Sequence, residues 1–228
     1  MMREIVFDTE TTGLSAATGD RVVELGCIEM VNRVATGRTF HAYYNPEREM
    51  PAEAEAIHGL SAAFLADKPR FAESAGELLE FLGDCPLVAH NASFDFGFLN
   101  AELKICGLDP LGEDRMVDTL ALAKRRHPGA KHTLDALCTR YGIDRSHRTK
   151  HGALLDAELL AQVYVELTGG RQIGLGLAAG ESSEQAELKP AQPRRREFRE
   201  PRPHAASEEE LARHAVFLAT IEFPLWSE

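Results

Sequence analysis

The sequence predicts an α/β protein in which a mixed β-sheet is flanked by helices and followed by a flexible C-terminal tail. Three observations support this prediction. Three segments with apolar, β-branched or aromatic residues open the chain, with only short polar or Gly-containing links between them. Short strands then alternate with helical patterns, which indicates that parallel strands join the antiparallel ones in a single sheet. After residue 170 the chain loses most of its apolar content.

The first half of the chain should contain three strands, at about residues 3–8, 21–30 and 38–44, arranged as an antiparallel meander. Ala and Glu then crowd the chain up to Gly59, which is typical of a short helix with a Gly stop. A second helix is expected near 73–82, where Ala and Leu recur at helical spacing.

The second half should alternate strands and helices. Pro86-Leu87-Val88-Ala89 has the composition of a short buried strand, and it runs into a helix that extends to about Cys106. Met116-Val117-Asp118 could form another short strand. Further helices are expected near residues 119–126, 133–140 and 152–168.

Composition divides the chain into a compact domain at residues 1–170, a flexible linker at 171–206 and a short docking segment at 207–228. In the last segment, Ser207 and the Glu residues after it are suited to start a helix that carries Leu211 and other apolar residues. This pattern is compatible with a tethered docking element and also with a helix that folds back on the same domain.

The composition also excludes several classes of protein. A net charge of −11 over 228 residues argues against bulk electrostatic attraction to nucleic acid, although metal ions can still bind a polyanion locally. No apolar run approaches the ~20 residues of a membrane span and no signal-peptide pattern is present, so we expect a cytoplasmic protein without membrane contact. The cysteines are expected as core residues in a reducing compartment: Cys27, Cys85, Cys106 and Cys138.

Two acids end the first predicted strand. Because side chains alternate along a strand, Asp8 and Glu10 should point to the same face. Two neighbouring anions raise each other's pKa unless a cation lies between them, so a metal site is the simplest functional interpretation. A solvated strand end that leads into a Thr/Gly turn is the structural alternative.

Two further acids lie on apolar helix stripes. Asp95 precedes Leu99 by one turn near a helix start, where it could alternatively complement the helix dipole. Asp156 shares a helical face with Leu160 and other apolar residues, and a carboxylate there is costly unless a partner or metal compensates. His151 lies roughly one and a half turns before Asp156, close enough to share a site with it.

Together these residues form three motifs that resemble those of the DEDDh 3′–5′ exonucleases, a family with a ribonuclease H-like fold. Asp8-Thr9-Glu10-Thr11-Thr12-Gly13 resembles the first motif, His90-Asn91-Ala92-Ser93-Phe94-Asp95 the second, and His151-x-x-x-x-Asp156 the third. The resemblance covers about residues 3–170. Within the family, segments such as Arg148-Thr149-Lys150-His151-Gly152-Ala153 are most similar to the proofreading subunits of bacterial replicative DNA polymerases.

The resemblance implies hydrolysis assisted by two divalent metal ions, Mg²⁺ or Mn²⁺. It implies that Asp8 bridges both ions, that Glu10 and Asp156 hold the ion that carries the attacking water, and that Asp95 supports the second ion. The same three ligands, Asp8, Glu10 and Asp156, would also approach the substrate. His151 would be the general base, and the product would be a nucleoside 5′-monophosphate released from a single-stranded 3′ terminus of DNA.

Four further residues are candidates for contact with the terminal nucleotide: Thr11, Leu14, Glu53 and His58. Thr11 follows the acids closely enough to offer its backbone or hydroxyl, and Leu14 is suited to wedge against a base. Glu53 could equally lie on the solvated face of a Glu/Ala helix.

A basic run precedes the third motif. Arg145, His147, Arg148 and Lys150 could contact phosphates, and a charged loop is an equally good interpretation.

The tail resembles the partner-binding region of the replicative proofreading subunits. Gln172-Ile173-Gly174-Leu175-Gly176-Leu177 is similar to a weak clamp-binding hexapeptide, with Gln172, Leu175 and Leu177 as candidate contacts to the sliding clamp. Its Gly residues and the missing terminal aromatic depart from that pattern. The resemblance also implies that residues 207–226 dock on the alpha subunit of DNA polymerase III.

The sequence therefore predicts a proofreading exonuclease subunit of a bacterial replicative DNA polymerase, which removes mispaired 3′ nucleotides. Two alternatives remain. A free-standing exonuclease that trims RNA or single-stranded DNA ends would not need the long tail. A nuclease-dead scaffold that bridges polymerase and clamp would lack at least one metal ligand, and none is missing here.

Overall fold

The structure is a computed structural model that describes residues 2–146, 148, 150–169 and 205–221. The chain divides into two units, Met1–Leu177 and Ala178–Glu228. The predicted linker at 171–206 and the clamp-binding candidates Gln172, Leu175 and Leu177 lie outside the described residues, apart from Ala205 and Ala206. The domain boundaries therefore stay predictions.

One five-stranded sheet forms the centre of the first unit. Its strands are β1 (Arg3–Thr11), β2 (Val22–Val31), β3 (Val34–Tyr43), β4 (Leu87–Ala89) and β5 (Met116–Asp118). In the order β3-β2-β1-β4-β5, the first three strands are antiparallel, and β4 and β5 pair in parallel beside β1. The predicted mixed sheet with an antiparallel meander is confirmed.

Two strand boundaries differ from the prediction. β1 continues to Thr11, so Asp8 and Glu10 lie within the paired strand and face Gly26 and Glu24 of β2. β3 begins at Val34 and not near residue 38, because Asn32 and Arg33 form a tight turn in the left-handed region, with φ of 50° and 64°. Neither residue is the glycine that usually marks such a turn, so the sequence did not reveal it.

Seven helices surround the sheet among the described residues of the first unit: α1 (Ala52–His58), α2 (Ala62–Leu65), α3 (Phe71–Leu82), α4 (Ala92–Ile105), α5 (Thr119–Arg126), α6 (Leu134–Tyr141) and α7 (Ala153–Leu167). Six of them lie where the sequence predicts a helix. Only α2 was missed, because its four residues are too few to show a helical period.

The sheet separates two apolar cores. On one face, Phe7 and Leu25 pack with Leu78 of α3 and Leu99 of α4. On the other face, Val6 and Met30 pack against Leu160 and Tyr164 of α7. Side chains alternate along β1, so Asp8 and Glu10 follow Val6 on the α7 side of the sheet.

Helix α7 approaches β2 without a side chain between their backbones. A Cβ atom on Gly26 would lie 2.3 Å from the backbone N and Cα of Leu154, closer than real Cβ contacts allow. Gly26 pairs with Asp8 across the sheet, so this contact brings the first turn of α7 next to the acids of β1.

The second unit contains α8 (Glu208–Leu218), close to the predicted position. The Ser207 hydroxyl accepts a hydrogen bond from the Glu210 backbone, and the Glu210 carboxylate accepts one from the Ser207 backbone. Leu211, Val216 and Phe217 are exposed on this helix. Among the described residues, none of the helices is long and apolar enough to cross a bilayer.

Candidate active site

The first motif places two carboxylates at the end of β1. Asp8 and Glu10 lie on the same face of the strand, and Glu10 keeps only 9% of its surface exposed. The β1–β2 register shifts between Glu10 and Thr11, so the strand pairing becomes irregular directly after the acids. The two side chains therefore lie next to an irregularity in the strand pairing.

The second motif brings Asp95 to the same place from the opposite layer. Asn91 adopts a left-handed conformation with φ of 62°, and its backbone N–H donates to Asp118 Oδ1 at 3.0 Å. This contact fixes the start of α4 at the end of β5. Asp95, in the first turn of α4, accepts hydrogen bonds from the Thr9 backbone at 3.1 Å and the Thr9 hydroxyl at 2.6 Å.

The third motif supplies an acid and a histidine from α7 and the segment before it. Asp156 lies in the first turn of α7 and is 3% exposed. His151 is exposed, and its Nδ1 lies 3.2 Å from Asp156 Oδ2. The His151 backbone N–H donates to the carbonyl of Ile57, which ties this segment to α1.

These side chains line one cleft of about 570 Å³. Its lining includes all the predicted metal ligands and the predicted base: Asp8, Glu10, Asp95, His151 and Asp156. One possible ligand atom from each of Glu10, His151 and Asp156 lies within 4.8 Å of the other two. The structure thus brings together five residues from three motifs that are far apart in the sequence.

Burial raises the pKa values of three acids in this cleft, and neighbouring negative charges add to the effect. Burial, together with the neighbouring Asp156 and Glu24 carboxylates, raises the pKa of Glu10 to about 8. Burial also raises the pKa of Asp95 to about 7, against the hydrogen bonds from Thr9. The pKa of Asp8 lies well above its usual range because of burial and the charges of Asp95, Glu10 and Asp156.

This donor set fits divalent cations. Hard cations such as Mg²⁺ and Mn²⁺ prefer carboxylate oxygens. A doubly charged ion bound between several acids also offsets the repulsion between their negative charges. Asp8, Glu10, Asp95 and Asp156 are the residues that could hold such ions. Their individual roles stay predictions.

Arg148 is the cation that contacts this cluster in the described part of the chain. Its Nε and Nη2 lie 2.5 and 2.6 Å from the two oxygens of Asp156, and its side chain is 9% exposed. The sequence suggested a phosphate contact or a charged loop for the basic run. The structure instead places Arg148 against a carboxylate of the cleft, while Lys150 lies against Gly59 and His147 falls outside the described residues.

Glu24 is a buried acid of the site that the sequence analysis missed. It is 3% exposed, pairs with Glu10 across β1 and β2, and holds the His41 ring at 2.8 Å. Its charge is one cause of the raised pKa of Glu10. The available signal was a lone acid in the apolar segment Val22-Val23-Glu24-Leu25.

None of the four nucleotide-contact candidates belongs to the lining of the cleft. The Thr11 hydroxyl donates to the Gly13 carbonyl at 2.6 Å, and Glu53 is exposed on α1. Leu14 is 86% exposed and borders a second cavity of about 780 Å³ beside α4. His58 is 6% exposed, and its Nε2 has no hydrogen-bond partner in the described structure.

Comparisons with known proteins agree with this geometry. The RNase_T exonuclease family model matches residues 5–164. DNA polymerase III subunit epsilon of Rickettsia felis is 48% identical over 223 residues, which cover 96% of this chain and 97% of that protein. The subunit epsilon of Escherichia coli K12 is 40% identical over 227 residues, which cover 96% of this chain and 93% of that protein.

Among solved structures, exonuclease X in complex with 5′ overhanging duplex DNA is similar, with a TM-score of 0.57 and 27% identity. The match covers 74% of this chain and 91% of exonuclease X. The expected exonuclease fold is therefore confirmed. The family model and the two epsilon subunits, which align along nearly their whole length, show that this chain belongs to the exonuclease family of the DNA polymerase III epsilon subunits.

Proposed function

We propose that this 3′–5′ exonuclease proofreads for a bacterial DNA polymerase III and hydrolyses mispaired 3′-terminal nucleotides to 5′-monophosphates with two divalent ions. One observation carries the proposal: four carboxylates and one histidine from three distant motifs line a single cleft. The epsilon relatives are named as subunits of DNA polymerase III, and exonuclease X was solved with DNA. The intact ligand set argues against a nuclease-dead scaffold.

Asp8, Glu10, Asp95 and Asp156 would hold the ions, Mg²⁺ or Mn²⁺. When bound, such ions lower the pKa of water and stabilise the charge on the phosphate and on the departing 3′-oxygen. The rigid support of the acids suits this role. Asp95 is fixed by two hydrogen bonds from Thr9, and Asp8 and Glu10 belong to the central strand of the sheet.

His151 would take the proton of the attacking water. An imidazole titrates near neutral pH, so it can accept a proton from water and return it to solvent. The water oxygen bonds to phosphorus, the bond from phosphorus to the 3′-oxygen breaks, and that oxygen keeps the bonding electron pair. The Asp156 carboxylate, 3.2 Å from His151 Nδ1, would stabilise the protonated ring.

His58 is the nucleotide-contact candidate with the most support. Burial lowers its pKa, against the charge of Glu24 and the backbone of Thr11, so the ring is neutral at working pH. The Leu60 backbone N–H donates to His58 Nδ1 at 3.0 Å, so the neutral ring carries its proton on the buried Nε2, which can donate one hydrogen bond. Thr11 and Leu14 would contact the terminal nucleotide from the β1 side, and Glu53 from α1.

The second unit would bind the polymerase. Helix α8 exposes Leu211, Val216 and Phe217, and apolar side chains on an exposed helix suit a groove on a partner. We assign the alpha subunit of DNA polymerase III to this segment and the sliding clamp to Gln172, Leu175 and Leu177. A free-standing trimming exonuclease would need neither contact.

Nucleotide release from a mismatched primer terminus tests the catalytic proposal. With Mg²⁺, the native chain should release 5′-monophosphates faster from mismatched than from paired termini, and Asp8→Ala should abolish release. Full activity of Asp8→Ala would refute the metal assignment. Equal rates on RNA ends and mismatched DNA would favour the trimming enzyme.

A truncation after Gly170 tests the tail separately. The truncated chain should keep its nuclease activity on single-stranded DNA and lose association with the alpha subunit. Unchanged association would refute the docking role of residues 207–228.

A further inference from the structure

We propose that Arg148 is a positioning residue that competes with a divalent ion for Asp156, so that metal entry moves its guanidinium and frees His151. The inference rests on the metal assignment proposed above. It concerns the only described cation in contact with both Asp156 and His151 among residues 2–146, 148, 150–169 and 205–221.

The first observation is that Arg148 uses both oxygens of Asp156. Nε donates to Oδ1 at 2.5 Å and Nη2 to Oδ2 at 2.6 Å. This is the two-point arrangement in which a guanidinium binds a carboxylate most strongly. A metal ion also needs at least one of these oxygens, where it would use a lone pair next to the one that already accepts from Arg148, so the ion and the guanidinium compete for this carboxylate.

The second observation is that Arg148 is held from the other side. Its Nη1 lies 2.8 Å from Oδ1 of Asp135 on α6, and Asp135 also pairs with Arg145 at 2.8 Å. The Asp135 side chain is 47% exposed, whereas that of Asp156 is 4% exposed. When a cation takes over Asp156, the guanidinium can keep Asp135 as its partner and remain near the cleft.

The third observation links the guanidinium to the predicted base. Arg148 Nη2 lies 2.7 Å from His151 Nδ1, where the guanidinium donates and the ring nitrogen accepts. A nitrogen lone pair that accepts this bond cannot take a proton from water at the same time. Release of Arg148 from the Asp156–His151 pair therefore makes Nδ1 available.

Arg148 could oppose metal binding in two ways, through its positive charge or through its hydrogen bonds to both oxygens of Asp156. A lysine at this position separates the two causes. Lys keeps the positive charge but is a single point donor that cannot hold both oxygens of Asp156. If competition for the oxygens matters, Arg148→Lys should already bind metal more tightly than the native chain. If only the charge of Arg148 opposes the ion, Arg148→Lys should match the native affinity.

Titration calorimetry of Mn²⁺ into the full chain, without DNA, tests this inference. We expect Arg148→Lys to bind about tenfold more tightly, the equivalent of one charge-assisted hydrogen bond. Arg148→Met should bind at least as tightly as Arg148→Lys. Arg145→Lys is the matched control, because it changes the same segment and the same Asp135 pair without a contact to Asp156, and its affinity should be native.

If Arg148→Lys binds Mn²⁺ with native or weaker affinity, the proposed competition for Asp156 is wrong. Asp156→Asn keeps the two possible failures apart: if it binds Mn²⁺ like the native chain, the metal assignment fails and not merely the role of Arg148. If Arg148→Met does not fold, the Mn²⁺ affinity of Arg148→Lys tests the competition by itself. The ¹⁵N resonance of His151 Nδ1 gives a second readout, because Mg²⁺ should shift it strongly in the native chain and weakly in Arg148→Met.

Discussion

Glu10 and Glu24 face each other across the β1–β2 ladder, so two neighbouring strands place carboxylates on the same side of the sheet. Both side chains are nearly buried. Glu24 is held by His41, and its charge opposes the ionisation of Glu10. Glu24 on β2 therefore influences Glu10, a proposed metal ligand on β1, without being part of the family motif.

Replacement of Glu24 by Gln should extend metal binding to lower pH. The substitution removes a negative neighbour, which lowers the pKa of Glu10 from its present value of about 8. Glu10 then loses its proton at a lower pH and is free to bind a cation there. Calorimetric Mn²⁺ affinities between about pH 6 and pH 8 measure this effect, with the same affinity expected at the alkaline end. If Glu24→Gln instead needs a higher pH than the native chain to bind Mn²⁺, the charge of Glu24 does not raise the pKa of Glu10.

Replacement of Glu10 by Gln should stabilise the protein in chelator at alkaline pH. The pKa of Glu10 is raised in the folded state from 4.5 to about 8, so the folded chain holds this proton more tightly than the unfolded chain. The stabilisation that comes from the tightly held proton is complete below the pKa of Glu10 in the unfolded chain, and it is lost as pH rises through about 8. We expect a Tm gain of about 4 °C for Glu10→Gln above this pH and little change near pH 4.5.

The same variant should lose exonuclease activity by a factor of at least about 10² with Mg²⁺, since a proposed metal ligand is removed. Thermal unfolding in chelator and nucleotide release give the two readouts. Equal Tm values for the native and Gln chains across the pH range would show that burial does not hold the proton on Glu10.

Replacement of His151 by Ala should reduce kcat by about 10² to 10⁴, the usual contribution of a general base. Metal affinity should change little, because the carboxylates provide the predicted ligands. Single-turnover release of 5′-monophosphate together with Mn²⁺ calorimetry separates the two effects. A variant with native kcat would exclude His151 as the base.

Replacement of His58 by Ala should raise KM about tenfold, which corresponds to one hydrogen bond to the substrate. The effect should fall on KM because the buried Nε2 is proposed to contact the nucleotide and not the attacking water. Glu53→Ala tests the other nucleotide-contact candidate on the same helix and should also act on KM, but less than His58→Ala because Glu53 is exposed. A fall in kcat at constant KM would instead show that His58 acts in the chemical step.

Sequence reasoning predicts the elements of the fold and their boundaries to different degrees. The three-strand meander and the long helices α3, α4 and α7 are evident from periodicity, because each has enough residues to repeat a pattern. The start of β3 was wrong because Asn32 and Arg33 turn the chain without a glycine. The short helix α2 has no period to detect.

The candidate site was predictable only where residues belong to a motif. Asp8, Glu10, Asp95, His151 and Asp156 come from such motifs, and the structure places all of them in one cleft. Glu24 lies beside Glu10 through strand pairing, and Arg148 reaches the cleft through a side-chain contact between distant segments. Those contacts depend on the register of β2 and on the path before α7, which spacing in the sequence does not define.

Gly26 shows how a residue without a side chain can control the accuracy of DNA copying. A methyl group there would collide with the backbone of Leu154 and push α7 away from the sheet, and with it Asp156. A bacterium that carries Gly26→Ala should therefore accumulate mutations at an increased frequency, as if a metal ligand had been damaged. The expected accuracy of copying therefore depends on a site in β2 where only a hydrogen atom fits between the two backbones.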